Sequence, residues 1–344
     1  MLEVDQAIDP AEARYWTGRR VLVTGAGGFI GSHLVELLVR AGAEVRAMVR
    51  YNGRSDVGSL NDVDDRVRSS IEIVFSDITD PFAVRRIVAG VDTVFHLAAL
   101  IAIPYSYVAP ASYVTTNVSG TLNVLEAVRD LEIPRIVQTS TSETYGTART
   151  VPMDETHPTQ AQSPYAASKV AADAMAESFH RAFGTPVATI RPFNTFGPRQ
   201  SARAVIPTIG AQLVAGRTTI ALGDARPIRD LTYVEDTARA FLAVARTEDC
   251  IGTVTNIGNG SGISIGDLAR LMAEIAGVDD LVIEVEPERL RPEASEVMEL
   301  VADATNARRR TGWEPRVTLQ VGLKRVLEYI RAHPGRYDIT RYTT

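Results

Sequence analysis

Cysteine and lysine are both nearly missing from this chain of 344 residues. The single cysteine, Cys250, leaves no internal disulfide to be made and fits a reducing compartment. Of 36 basic residues only two are lysine, Lys169 and Lys324. Arginine serves everywhere else, so a lysine that persists points to a task that a planar, permanently charged guanidinium cannot do. No apolar run is long enough to span a bilayer; the longest, residues 21–39, is interrupted by glycines and by His33 and Glu36. The opening MLEVDQAIDPAEARYW is acidic without an apolar centre and does not read as a secretory signal. Basic charge is in deficit, 36 residues against 42 acidic ones, which argues against a general nucleic-acid binder. His33, His96 and His157 have no ligand spacing with cysteine or acid, so no metal site is expected. The expectation is a soluble cytoplasmic protein with no nucleic-acid or membrane partner.

What remains is an ordinary globular composition, 45% hydrophobic and 23% charged, at a length that suits two joined lobes. Short β-branched runs at 20–24, 44–49, 72–75, 93–97, 135–139 and 187–191 alternate with amphipathic segments at 31–41, 82–89, 117–131 and 164–183. Six such strands with right-handed crossovers predict an α/β fold with a doubly wound parallel sheet. The elements become shorter beyond Arg191, with prolines at 192, 198, 207 and 227. This predicts a dinucleotide-binding domain over 18–191, with a segment near 230–258 returning to it. A smaller α/β substrate lobe would occupy most of 192–344.

The first strand runs into Thr24-Gly25-Ala26-Gly27-Gly28-Phe29-Ile30-Gly31, and a helical pattern follows. Glycines 25, 28 and 31 let a backbone approach a pyrophosphate at a positive helix N-terminus. Strand before and helix after is the context such a motif requires. Asp77, after the third strand, suits either an adenine edge or a helix cap. The second strand ends in Arg50 rather than an acid. An arginine there suits a ribose 2′-phosphate, so the cofactor reads as NAD(P), with NAD and NADP both open.

Tyr165-Ala166-Ala167-Ser168-Lys169 places a phenol and an ammonium four residues apart, on one helix face. A nearby cation is expected to lower the phenol's pKa, so that Tyr165 can take a hydroxyl proton during hydride transfer. After the fifth strand come Thr141, Ser142 and Glu143. Thr141 supplies the hydroxyl donor that plain redox chemistry needs. Glu143 is surplus to that chemistry and suits removal of a proton made acidic by a neighbouring ketone.

TGAGGFIG, FHLAA (95–99), TSETYG and YAASK together resemble the extended short-chain dehydrogenase/reductases, over nearly the whole chain. That resemblance implies a Rossmann sheet and a cofactor pocket that includes Phe29, Ile30, Ile78, Leu97, Ala98 and Ala99. Thr-Ser-Glu resembles the nucleotide-sugar 4,6-dehydratases. The stretches 101–107 and 194–207 resemble the NDP-N-acetylglucosamine 4,6-dehydratases of legionaminic-acid-type pathways. The implied reaction is redox-neutral: oxidation at C4, loss of water across C5 and C6, and hydride return to C6. Glucose-type dehydratases carry an aspartate where this chain has Ser142, whereas the GDP-mannose type has serine, so Glu143 would be both base and acid. For the sugar nucleotide, a diphosphate calls for arginine forks, and Asn194, Arg199, Arg229 and Arg291 are the candidates. Relatives pair two helices into a homodimer, which is the expected assembly. A UDP-glucuronate decarboxylase, an NDP-sugar 4-epimerase and a non-catalytic cofactor-binding regulator remain alternatives.

Overall fold

Strand β1 (Arg20–Thr24) buries four of its five residues, as a strand covered on both faces must. The computed structural model describes residues 8–337. It sets β1 in a sheet with β2 (Glu44–Arg50), β3 (Glu72–Ser76), β4 (Thr93–His96), β5 (Ile136–Thr139), β6 (Val187–Pro192) and the strand Val254–Ile257. The order is Val254–Ile257, β6, β5, β4, β1, β2, β3, and every neighbouring pair is parallel. The winding reverses between β1 and β4. In such a sheet the ligand crevice lies beyond the carboxyl ends of the strands at that reversal.

Helix limits follow their caps. The helix Pro164–Phe183 starts where Ser163 accepts from the Ala166 amide and stops at left-handed Gly184. The helix anticipated at 31–41 begins two residues earlier, at Phe29, because Gly28 is its N-cap. The one anticipated at 117–131 is α-helical only over Gly120–Asp130 and is preceded by a π-helical turn, Val114–Ser119. The acidic opening is described only from residue 8, where Asp9 caps a short helix that buries Trp16.

One face of the sheet is covered by the helices Phe29–Arg40 and Val234–Arg246, through side chains such as Leu34, Leu38, Phe241 and Val244. The other is covered by Gly120–Asp130 and Pro164–Phe183, through Val124, Val128, Ala176 and Phe179. A second core unites the helices Val205–Val214, Ile265–Ala276 and Leu319–Ala332 around Ile209, Leu268, Met272 and Leu327. Small strands attach to it, with Ile228–Tyr233 central between Gly262–Ser264 and Glu299–Leu300. The chain returns to the first core more often than its text announces. Ala304, Ala307 and Trp313 also lie there, and the Trp313 indole donates to the Asp236 carbonyl at 2.9 Å.

Candidate active site

A cleft of about 950 Å³ opens at the carboxyl ends of β1, β4, β5 and β6, at the upper limit of the roughly 300–1,000 Å³ usual for small-molecule sites. Its floor is the glycine turn. Gly25 has φ +71, and a Cβ there would stand 2.8 Å from the Ala98 amide nitrogen; at Gly31 it would stand 2.3 Å from the Gly25 carbonyl oxygen. Gly28 caps the helix Phe29–Arg40 with no side-chain acceptor. The first amides of that helix are therefore left for a ligand. Gly25, Gly28, Phe29, Ile30, Gly31, Arg50, Leu97, Ala98 and Ala99 all line the cleft. This backbone cradle, which side chains would fill, fits the pyrophosphate of a dinucleotide.

A chain of hydrogen bonds fixes that wall. The Leu97 and Ala98 amides both donate to Thr24 Oγ1 at 3.1 Å, and Thr24 Oγ1 lies 2.8 Å from His96 Nδ1. His96 Nε2 reaches Thr121 Oγ1 at 3.1 Å, and Thr121 donates to the Asn117 carbonyl at 2.6 Å. One tautomer satisfies the whole run, with Nδ1 accepting and Nε2 donating. Burial, helped by the Lys169 cation, holds His96 neutral by pushing its pKa down to about 3. Asn117, in the π-helical turn, exchanges two bonds with the Leu100 backbone and donates to Ser168 Oγ at 2.9 Å. The wall is thereby tied to the helix Pro164–Phe183.

Thr141, Ser142, Glu143, Tyr165 and Lys169 also line the cleft. Thr141 caps a 3-10 turn, Ser142–Tyr145, by accepting from the Glu143 amide. Lys169 Nζ donates to the Thr139 carbonyl at 2.5 Å. Contrary to the expected lowering, burial pushes the Tyr165 phenol far up, and the carboxylates of Glu143 and Asp173 add to that. Its hydrogen bond with Thr141 is the lowering influence. The ammonium expected to activate the phenol is turned to the backbone of β5 and is itself driven toward neutrality by burial.

The opposite wall is built from charges. Arg229 is buried and pairs with Glu296 at 3.2 Å, and Arg291 reaches the same carboxylate at 3.4 Å. Glu143 also acts electrostatically on Arg229. Asn194 lines the cleft, its side-chain oxygen buried without a partner among the described residues. Arg203, Asp56 and Asn52 share the lining and were missed in the sequence, where nothing separates them from surface polar residues.

Three expected residues do not line the cleft. Arg199 points into a separate cavity, where it pairs with Glu36 at 2.6 Å and donates to the Asp62 carbonyl at 3.1 Å. Asp77 closes an Asx turn, accepting from the Thr79 amide and hydroxyl at 2.9 and 2.8 Å. The following helix is capped by Asp80 instead. Ile78 is buried against Gly120. Among the described residues no His, Cys, Asp and Glu cluster is placed to hold a metal ion, and no helix is long and apolar enough to cross a membrane.

The family model for GDP-mannose 4,6 dehydratase matches residues 22–326. The chain belongs to that family. Within it, this member is 34% identical to a dTDP-glucose 4,6-dehydratase of Streptomyces griseus, covering 92% of this chain and 96% of the relative. It is 33% identical to a UDP-glucose 4-epimerase of Mycolicibacterium smegmatis, covering 91% and 98%. Among solved structures, the dTDP-glucose 4,6-dehydratase of Streptomyces venezuelae, with NAD bound, superposes with a TM-score of 0.83 at 28% identity, covering 93% of this chain and 99% of that one. The family member described here is an enzyme of the nucleotide-sugar dehydratase/epimerase group, with the extended short-chain dehydrogenase/reductase fold.

Proposed function

We propose that this enzyme is an NDP-hexose 4,6-dehydratase, acting on an NDP-N-acetylglucosamine and retaining NAD(P) between turnovers. The observation that carries the reading is Glu143, a carboxylate in the same cleft as Thr141, Tyr165 and Lys169 and close enough to Tyr165 to raise its pKa. Epimerisation at C4 leaves such a group without a task. Elimination needs it.

NAD(P) held on the glycine cradle would supply the hydride acceptor for C4 and the hydride donor for C6. The chain's own residues handle the protons. Tyr165 takes the O4 proton once ionised, with Thr141 supporting the phenolate by its hydrogen bond against the burial that raises the phenol's pKa. Glu143 takes the C5 proton, which the C4 ketone has acidified, and the resulting carboxylic acid protonates the C6 hydroxyl as it leaves as water. A solvent proton at C5 and the hydride at C6 complete a 4-keto-6-deoxy sugar. Arg229 and Arg291 would hold the diphosphate by charge-assisted bonds, and Asn194 offers a polar contact beside them. Cytoplasmic residence and a homodimer through the helices Gly120–Asp130 and Pro164–Phe183 belong to the same reading and rest on the family resemblance.

The test is mass spectrometry of the purified enzyme incubated separately with UDP-GlcNAc, GDP-GlcNAc, GDP-mannose, dTDP-glucose and UDP-glucuronate. A product lighter by one water from an N-acetylglucosamine nucleotide is the expected result. Loss of water only from another hexose nucleotide keeps the reaction and replaces the sugar. The likeness to the M. smegmatis epimerase favours one rival: a product of unchanged mass but altered C4 configuration would establish it. Loss of CO₂ from UDP-glucuronate alone would make the enzyme a decarboxylase.

A further inference from the structure

Beneath the catalytic residues lies a buried polar knot that the reaction above does not use. Asp173 sits one helical turn past Lys169 on the helix Pro164–Phe183. One of its carboxylate oxygens accepts from Ser140 Oγ at 2.5 Å and from Arg191 Nη2 at 2.8 Å. Arg191 Nε donates to the same serine hydroxyl at 3.1 Å. The Asp173 and Arg191 side chains are 14% and 5% exposed, and the Arg191 guanidinium lies 4.5 Å from the centre of the Tyr145 ring. The second Asp173 oxygen is buried and has no hydrogen-bond partner among the described residues. A buried carboxylate left half-bonded is expensive, and Lys169 stands one turn earlier on the same helix.

We propose that Asp173 is a positioning residue of the catalytic centre: the counter-ion of Lys169 and, through Ser140, the clamp on the turn that carries Thr141 and Glu143. The geometry gives both roles. Residues four apart on a helix face each other, so the carboxylate and the ammonium share one buried surface. Ser140, immediately before Thr141, is gripped from both sides by Asp173 and Arg191. Thr139, immediately before Ser140, gives its carbonyl to Lys169. The catalytic helix and the end of β5 are thus joined by two adjacent bonds, one on each side of the Lys169–Asp173 pair.

The charged and titratable groups around Lys169 come from four elements. They are Tyr165 and Asp173 on its own helix, His96 at the end of β4, Glu143 beyond β5 and Arg191 on β6. His96 is neutral. Arg191 is bound by Asp173. Asp173 is the group that supports the ammonium against burial. A buried lysine depends on such a partner to stay charged, whereas a guanidinium does not.

Scarcity of lysine makes the test direct. Protein labelled with ¹³C at lysine Cε carries two labelled side chains, Lys169 and Lys324, whose signals are assigned with Lys324→Arg and followed as pH rises. In Asp173→Asn the Lys169 midpoint falls by about one pH unit or more, the size an opposite charge at close range produces. Lys324 stays in place as the internal control. Ser140→Ala, which keeps both charges, leaves the Lys169 midpoint unchanged but lowers kcat at constant KM, and Asp173→Glu restores the midpoint. Because Asp173→Asn strands Arg191 in the interior, Asp173→Asn/Arg191→Met removes both charges together, and a smaller fall in the same direction is expected there, since a neighbouring cation leaves with the anion. An unmoved Lys169 midpoint in a folded variant of either kind overturns the proposal. The role assigned to Asp173 rests on the proposed function, which places Lys169 in the reactive cleft beside Tyr165, but the titration needs no substrate. If no nucleotide sugar is converted, the proposed function fails while the counter-ion result stands or falls on its own.

Discussion

The two walls of the cleft are held by different forces. The glycine-turn wall is a run of neutral hydrogen bonds from Thr24 through His96 and Thr121 to Asn117, with donors and acceptors matched. The facing wall is held by ion pairs, Arg229 and Arg291 on one glutamate, Glu296. The first is rigid before any ligand arrives and recognises shape, because only backbone without Cβ atoms fits there. The second holds charge in reserve, and in the proposed reading a diphosphate would compete with Glu296 for the arginines. Rigid recognition suits a cofactor that stays, and exchangeable charge suits a substrate and product that must leave.

The comparison breaks hardest on the first wall. Gly31→Ala drives a Cβ to 2.3 Å from the Gly25 carbonyl oxygen. An overpacked site of this kind loses about 1–3 kcal/mol, or roughly 10–100-fold in dinucleotide affinity. Calorimetric titration with NAD and with NADP measures it and shows which of the two is preferred. At the seam between the walls, Thr141→Val removes the hydrogen bond that lowers the Tyr165 pKa. The phenol's pKa rises further, so the acidic limb of the pH–rate profile moves to higher pH. Turnover at neutral pH falls by about tenfold, as expected for a lost bond to a charged group. On the second wall, Glu296→Gln frees both arginines and lowers KM for the nucleotide sugar a few-fold, the scale of one partly exposed ion pair. The same variant melts at a lower temperature, and added nucleoside diphosphate restores the loss. Salt sharpens the contrast: KM for the sugar nucleotide rises with ionic strength more steeply than the Kd for the dinucleotide.

The remaining effect is on stability and appears only on acidification. Buried His96 and His33 have pKa values pushed down to about 3 by burial. A folded-state pKa below the unfolded one means stability that is complete above pH ~6.5 and is lost as pH falls toward 3, at about 1.4 kcal/mol per unit for each histidine. Thermal melts should show a fall in Tm on acidification from neutrality, shallower in His33→Gln than in the native chain.

What was legible in the sequence follows the same division. The strands and the helix Pro164–Phe183 were readable because β-branched runs, Ser163, Pro164 and Gly184 act locally. The glycine turn, Thr141 and Glu143 were readable because their motifs follow directly on a strand end, and Tyr165 and Lys169 because their spacing puts them on one face of the helix Pro164–Phe183. Arg199 was misplaced because its partner, Glu36, lies 163 residues away, and only the fold brings the two together. Asp77 stayed open between a ligand contact and a cap because an Asx turn, which the structure shows, draws on the same acidic side chain. Asn117 and the knot of Ser140, Asp173 and Arg191 left one local trace, a charged residue, Arg191, in the otherwise uncharged β6. The expected lowering of the Tyr165 pKa failed because sequence spacing shows a neighbouring cation but not how deeply both groups are buried.

The central claim is that Glu143 makes this cleft an eliminating one, and turnover in D₂O tests it most directly. The native enzyme should release a product lighter by one water and carrying one deuterium at C5, with the original C4 hydrogen found at C6. Glu143→Gln should still oxidise C4, seen as reduced dinucleotide absorbance, and release no such product. A product of unchanged mass with no deuterium, formed equally well by Glu143→Gln, would contradict the account and make the enzyme a 4-epimerase.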